Sequence, residues 1–144
     1  MSDFTTTFVV DRTPGEVFDA INDVRGWWGE NVSGSNDKVG DEFTYRVQDI
    51  HSSHLRVIDL IPNVRVAWLV LDNHMNFVED QQEWVGTTIA FEIVPKDGQT
   101  EVRFTHRGLD PAFECFDACS SAWGSLMHSS LPSLITTGIG HPYR

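Results

Sequence analysis

Positive charge is scarce in this chain. Ten lysines and arginines stand against 21 aspartates and glutamates in 144 residues, a formal net charge of −11 at pH 7. No run of Lys or Arg exists to follow a phosphate backbone, which argues against nucleic acid or an anionic membrane as partners. Long hydrophobic runs are also missing. The longest, VAWLVL at 66–71, is far too short to span a bilayer. The start, MSDFTTTFVVDRTP, has neither a basic beginning nor an extended apolar region, so no secretory leader is expected and the protein is read as cytoplasmic. Cysteine is limited to Cys115 and Cys119, which cannot staple distant segments. Their spacing differs from the Cys-x-x-Cys of zinc and redox sites, and both are expected to be reduced thiols, structural or lining a pocket. Six histidines lie scattered along the chain, so neither a metal nor a cofactor is expected. There is no Gly-rich phosphate loop, no Gly-x-Ser-x-Gly and no recognisable Ser, His and Asp set, so a positive signature of an enzyme is lacking.

What is present has the balance of one soluble domain covering residues 1–144, with 40% hydrophobic and 22% charged residues. Thr5 to Val10 contains β-branched residues and precedes DRTPGEVFDAI, where Thr13 is a candidate N-cap, Pro14 the first helical residue and Glu16 the third. Residues 22–28 are expected as a second short helix or turn ended by Gly29, and GENVSGSNDKVGDE as a loop. From residue 41 the period changes to two, with Phe43, Tyr45 and Val47 on one strand face. Further strands are expected over 55–61, 64–71, 84–94 and 100–106, separated by a turn at Pro62-Asn63, a polar loop over 72–82 and a hairpin turn at 96–98. The strand over 64–71 is apolar on both faces, as a central strand is.

After Pro111 the spacing becomes helical. Phe116, Cys119, Trp123, Met127, Ser130 and Leu134 fall in one stripe, with Glu114, Asp117, Ser121, Ser125 and His128 opposite. Pro132 is expected to kink or break the helix. The order predicts an α+β fold in which a curved antiparallel sheet packs on one long C-terminal helix. The small residues Cys119, Ser120 and Ser130 on that helix would leave space for a cavity.

The stretches VDRTPGEVFDAINDVRGWWGE, VAWLV, EWVGTTIAFEI, TEVRFTHRGLDP and CFDACSSAWGSL, with a TGIG ending, resemble the bacterial proteins similar to activators of heat shock protein 90 ATPase. Those belong to the START and birch-pollen-allergen (SRPBCC) superfamily. The resemblance implies the helix-grip fold: a seven-stranded antiparallel sheet, two short helices after the first strand, and a long C-terminal helix enclosing a hydrophobic cavity. Relatives on this fold include lipid carriers, hormone receptors, polyketide cyclases and co-chaperones, so fold alone does not select a function.

Candidate ligand contacts are Trp28, Phe43, Tyr45, Trp68, Trp84, Phe104, Trp123 and Met127, which belong to elements facing one another, together with Cys119. Each could equally be core, but five tryptophans in one small domain favour a pocket that stacks a flat or apolar ligand. His106 shares a strand face with Phe104 and should point inward, either hydrogen-bonded in the wall or orienting a ligand as acid or base. His51, at a strand start, is the second polar candidate. Glu79, Asp80 and Glu83 are expected as a solvated loop. The expected role is binding of a hydrophobic or aromatic small molecule. The alternatives are a cyclase- or hydrolase-like activity using His106, and a co-chaperone-like module that contacts a chaperone or itself. In RGWWGE, Trp28 is expected inside, and Trp27, if exposed, would be a lid or contact residue.

Overall fold

The computed structural model describes residues 3–143. The chain runs β1 (Asp3–Val10), α1 (Pro14–Asn22), α2 (Val24–Trp27), β2 (Val32–Gly34), β3 (Glu42–Val47), β4 (His51–Ile61), β5 (Arg65–Met75), β6 (Thr88–Lys96), β7 (Gln99–Arg107), α3 (Phe116–Ser125), a π-helical turn (Leu126–Ser130) and α4 (Leu131–Thr137). The strands form one antiparallel sheet of seven in the order β1-β7-β6-β5-β4-β3-β2. β5 is its central strand, which explains the apolar residues on both its faces. Two register shifts between β4 and β5 bend the sheet so that its inner face curves around the C-terminal helix. Among the described residues, no helix is long and apolar enough to cross a membrane.

Local chemistry sets most boundaries. The Thr13 hydroxyl accepts from the Glu16 N–H at 3.1 Å, and the Glu16 carboxylate accepts from the Thr13 N–H at 3.2 Å, a capping box that starts α1 at Pro14. Asp97 and Gly98 both take positive φ, 51° and 81°, which closes the β6–β7 hairpin in the tight turn favoured by strand twist.

Five expectations need correction. The loop expected over 29–42 contains β2, which pairs with β3. β4 begins at His51 rather than Leu55, and β5 continues to Met75 through the polar residues Asp72, Asn73 and His74, because each strand supplies the other's ladder partners there. Trp84 lies in a turn before β6 and not on the strand, its carbonyl accepting from the Thr87 N–H at 2.9 Å. The disturbance expected at Pro132 sits one turn earlier. An α-turn there would require an N–H from residue 132, which proline lacks, and the chain instead bonds Leu131 N–H to Leu126 C=O, five residues back. The extra residue makes Leu126 and Met127, then Ser130 and Leu131, face inward as pairs. It also shifts the stripe so that Ile135 is buried and Leu134 only half-buried.

Both tryptophans of RGWWGE are inside. Trp27 is fully buried and its indole N–H donates to the Ile21 carbonyl at 3.0 Å, so it is no lid. The flanking glycines lie in close packing, most tightly at Gly29. A Cβ at Gly26 would sit 2.9 Å from Leu134 Cδ2, and one at Gly29 would run into the Tyr45 ring. Ser130, expected only to leave space, clips three segments: its hydroxyl donates to the Trp27 carbonyl at 2.7 Å and accepts from the His141 N–H at 2.8 Å. The tail after Gly138 thereby returns over α2, where Tyr143 N–H donates to the Trp28 carbonyl and Glu30 N–H to the Tyr143 carbonyl.

His106 ties the helix to the sheet. The Thr87 hydroxyl donates to the Trp84 carbonyl at 2.6 Å, so its oxygen accepts from His106 Nε2–H at 2.8 Å, and the Trp123 indole N–H donates to Nδ1 at 3.0 Å. Burial, and secondarily His51, push the His106 pKa down to about 3. That value lies below the 6.5 of an exposed histidine, so below pH 6.5 the unfolded chain binds the extra proton and stability falls. Urea unfolding at pH 4.5–6.5 is expected to show an acid slope approaching ~1.4 kcal/mol per pH unit from this residue. In His106→Gln, whose amide can donate to Thr87 and accept from Trp123, that slope should be reduced while stability at pH 8 changes little. Gly29→Ala should lower stability by about 1–3 kcal/mol in the same assay, because the Tyr45 ring is too tightly stacked to yield.

Candidate functional site

Between the β3 and β4 ends of the sheet and α3 lies a cavity of about 240 Å³. The C-cap of α2 contributes Trp28, β3 contributes Tyr45 and Val47, and the β3–β4 turn contributes Ile50 beside His51. Phe77 and Trp84 come from the loop after β5, Ala118, Cys119, Ala122, Trp123 and Leu126 from the C-terminal helix, and Tyr143 from the returning tail. No described lining residue carries a formal charge at neutral pH. At the mouth, Ile50, Phe77 and Tyr143 remain 42%, 46% and 37% exposed, an apolar rim.

The aromatic walls form a connected stack. Tyr45 lies on Trp28 with ring centroids 4.1 Å apart and 13° between planes, Trp28 parallels Trp68 at 5.9 Å, and Trp84 parallels Trp123 at 5.9 Å. The two groups meet where Trp28 touches Trp123 at 5.2 Å with a 40° tilt. All five tryptophans therefore belong to one cluster.

The structure brings six of the expected residues to the cavity: Trp28, Tyr45, His51, Trp84, Cys119 and Trp123. It places Phe43, Trp68, Phe104, His106 and Met127 elsewhere, in the buried core. Phe43 meets the Trp68 ring edge-on at 5.2 Å, and Phe104 packs against Phe91 and Trp123. His106 has both nitrogens hydrogen-bonded, one to Thr87 and one to Trp123, and it does not line the cavity. Met127 is turned into the core by the π-turn. Val47, Ile50, Phe77, Ala118, Ala122, Leu126 and Tyr143 were not foreseen. Ala118 and Ala122 carried a signal, two small residues one turn apart beside the large-residue stripe.

Polar groups at the cavity are few. His51 Nε2 is 2.9 Å from the Ser53 hydroxyl, and burial, then neighbouring His74, push its pKa down to about 4, so the ring is neutral at pH 7. The Tyr45 hydroxyl makes no hydrogen bond to another described residue, and burial raises its pKa. Cys119 Sγ lies 4.0 Å from Met75 Sδ, and its thiol is held protonated by its hydrogen bond with Cys115 and by burial. Among the described residues no group of three or more His, Cys, Asp or Glu side chains converges on a metal position.

The acidic loop is less solvated than expected. Glu79 and Asp80 are exposed, but the Glu83 carboxylate accepts from the N–H groups of Glu114 and Cys115 at 2.8 and 3.1 Å. Glu114 in return accepts from the N–H groups of Asp80 and Glu79 at 2.8 and 3.3 Å. This reciprocal clasp holds Phe77 and Trp84 over the start of α3. A larger concavity of about 500 Å³, between residues 11–16 and 95–100, is an open surface groove lined largely by charged and polar residues. Its Arg12 is committed to the Thr136 carbonyl, and it offers no enclosed apolar wall.

Structural relatives share this arrangement of sheet and helix. The solution structure of the Aha1 dimer from Colwellia psychrerythraea superposes with a TM-score of 0.79 at 26% identity, covering 97% of this chain and 100% of that one. Protein MLL2253 from Mesorhizobium loti superposes at 0.75 with 12% identity over 93% and 96% of the two chains. DynU16, from the dynemicin biosynthetic locus, superposes at 0.73 with 14% identity over all of this chain and 51% of its own. These last two establish likeness of fold alone. No curated protein matches the chain by sequence. Residues 11–136, from the end of β1 into α4, match the family described as Activator of Hsp90 ATPase homolog 1-like protein. With sheet order, paired short helices and C-terminal helix all in agreement, the chain belongs to that family and carries its helix-grip, SRPBCC-type fold.

Proposed function

We propose that the protein binds a small hydrophobic or aromatic molecule in the cavity between the sheet and α3. One observation carries this reading: three indole faces and a tyrosine wall a space with no charged residue among the described lining, and the space opens through an apolar rim. Transfer of apolar ligand surface from water into such a space is favourable at roughly 25 cal/mol per Å². The walls are already ordered by stacking on one another, so little conformational entropy remains to be lost on binding. An acid or base role for His106 finds no support in this arrangement.

A ligand that binds only the folded chain should raise stability by about 2.7 kcal/mol when present at a hundred times its Kd. Ala122→Leu places a larger side chain in the cavity from the helix side. It is expected to abolish the ligand-dependent rise in melting temperature while leaving the ligand-free protein folded. Stabilisation of both forms by the same compounds would overturn the assignment to this cavity.

The exposed rim favours a second reading, self-association, and the similar Colwellia protein is described as a dimer. Light scattering is then expected to give the mass of two chains, and that of one chain for Phe77→Glu. A single-chain mass for both removes this reading.

A further inference from the structure

We infer that the ligand is a neutral, flat aromatic molecule of two or three fused rings, bearing one hydrogen-bond acceptor that is received by the Tyr45 hydroxyl. This inference rests on the cavity reading above and specifies its chemistry.

The polar groups at this end of the sheet lie in one row. Tyr45 on β3 stands opposite Ser53 on β4, and Ser53 opposite Asn73 on β5, all three buried. His51, two residues before Ser53, lies on the same strand face. In a well-packed interior such a row would be joined by hydrogen bonds, since an unpaired buried polar group costs about 1–3 kcal/mol. Here only His51 and Ser53 pair. Both side-chain atoms of Asn73 lack partners, and the Tyr45 hydroxyl, on a residue that lines the cavity, makes no hydrogen bond to another described residue. Hydrogen-bonding capacity is therefore left open at one end of an otherwise apolar space.

The charge of the occupant follows from what is absent. A carboxylate or phosphate brought here would lose its hydration without meeting an ammonium or guanidinium among the described lining residues, and a cation would meet no carboxylate among them. Tyr45 is neutral at physiological pH and offers a donor. His51, also neutral, can supply a second donor or acceptor. An acceptor on the ligand thus matches Tyr45, whereas a formal charge matches nothing. Size and shape are set by the volume of about 240 Å³, below the ~300–1,000 Å³ of sites for drug-sized molecules. The indole walls reward offset stacking, which a flat ring system provides and a flexible chain does not.

The test uses acetylnaphthalene (neutral, with an acceptor), naphthalene (no acceptor), naphthoate (charged) and decanone (acceptor on an aliphatic chain). Each is titrated into the full chain with calorimetry and tryptophan fluorescence as readouts. Acetylnaphthalene is expected to bind about tenfold more tightly than each of the others, a difference of about 1.4 kcal/mol. Tyr45→Phe keeps the ring that stacks on Trp28, and it should reduce acetylnaphthalene to the affinity of naphthalene while leaving naphthalene itself unchanged. Equal affinity of naphthalene and acetylnaphthalene, tight binding of naphthoate, or no effect of Tyr45→Phe would overturn the inference. Binding of decanone alone would also overturn it while leaving the cavity reading standing. Failure of all four probes would count against both.

Discussion

The stacking of Trp28 is the contact on which the rest of the structure depends. It follows a four-residue helix, yet its ring touches Tyr45 on β3, Trp68 on β5, Trp123 on α3 and its own neighbour Trp27. Each aromatic pair contributes about 0.5–1.5 kcal/mol beyond the area it buries. More important is what the ring joins, because through it the segment after the short helix, the sheet and the C-terminal helix meet in one stack. The backbone around it has adapted. Gly29 passes close over Tyr45, and the tail bonds to the Trp28 carbonyl, so the same residue also fixes where the chain returns.

Core and cavity are made from the same parts in this fold, and the difference lies in what stands opposite. Phe43 and Phe91 each meet the Trp68 ring edge to face, and all three are fully buried. A few ångströms away, Trp28 and Trp84 face a stretch of helix that offers Ala118 and Ala122. Two methyl groups cannot fill what two isobutyl groups would, and a space remains. The π-turn reinforces this division: upstream the helix lines the cavity, and downstream it presents Leu131 and Ile135 to the core.

Much of the fold could be read from residue order. The capping box at Thr13, the alternation of Phe43 and Tyr45, the doubly apolar β5 and the hairpin at Asp97-Gly98 are each specified within a few residues. Elements that depend on distant partners were not legible. β2 lies in a loop-like sequence and exists because β3 offers it an edge. The polar end of β5 is a strand because His51 and Ser53 lie across from it. The candidate site divides in the same way. Trp28, Tyr45, Trp84 and Trp123 could be picked out as large aromatics on inner faces. Nothing local separates them from Trp68 and Phe104, which share composition and periodicity but sit where the gap is closed. Tyr143 reaches the rim only through the clip made by Ser130, a contact between residues far apart in sequence.

The clasp between Glu83 and Glu114 is made wholly of carboxylates and backbone N–H groups. Every amino acid except proline supplies such a donor, so the loop over the cavity is fastened without demanding particular side chains at its receiving positions. Its specificity is stored in two glutamates. The neighbouring loop residues, Phe77 among them, are therefore left open to change the shape of the cavity mouth while the fastening stays intact.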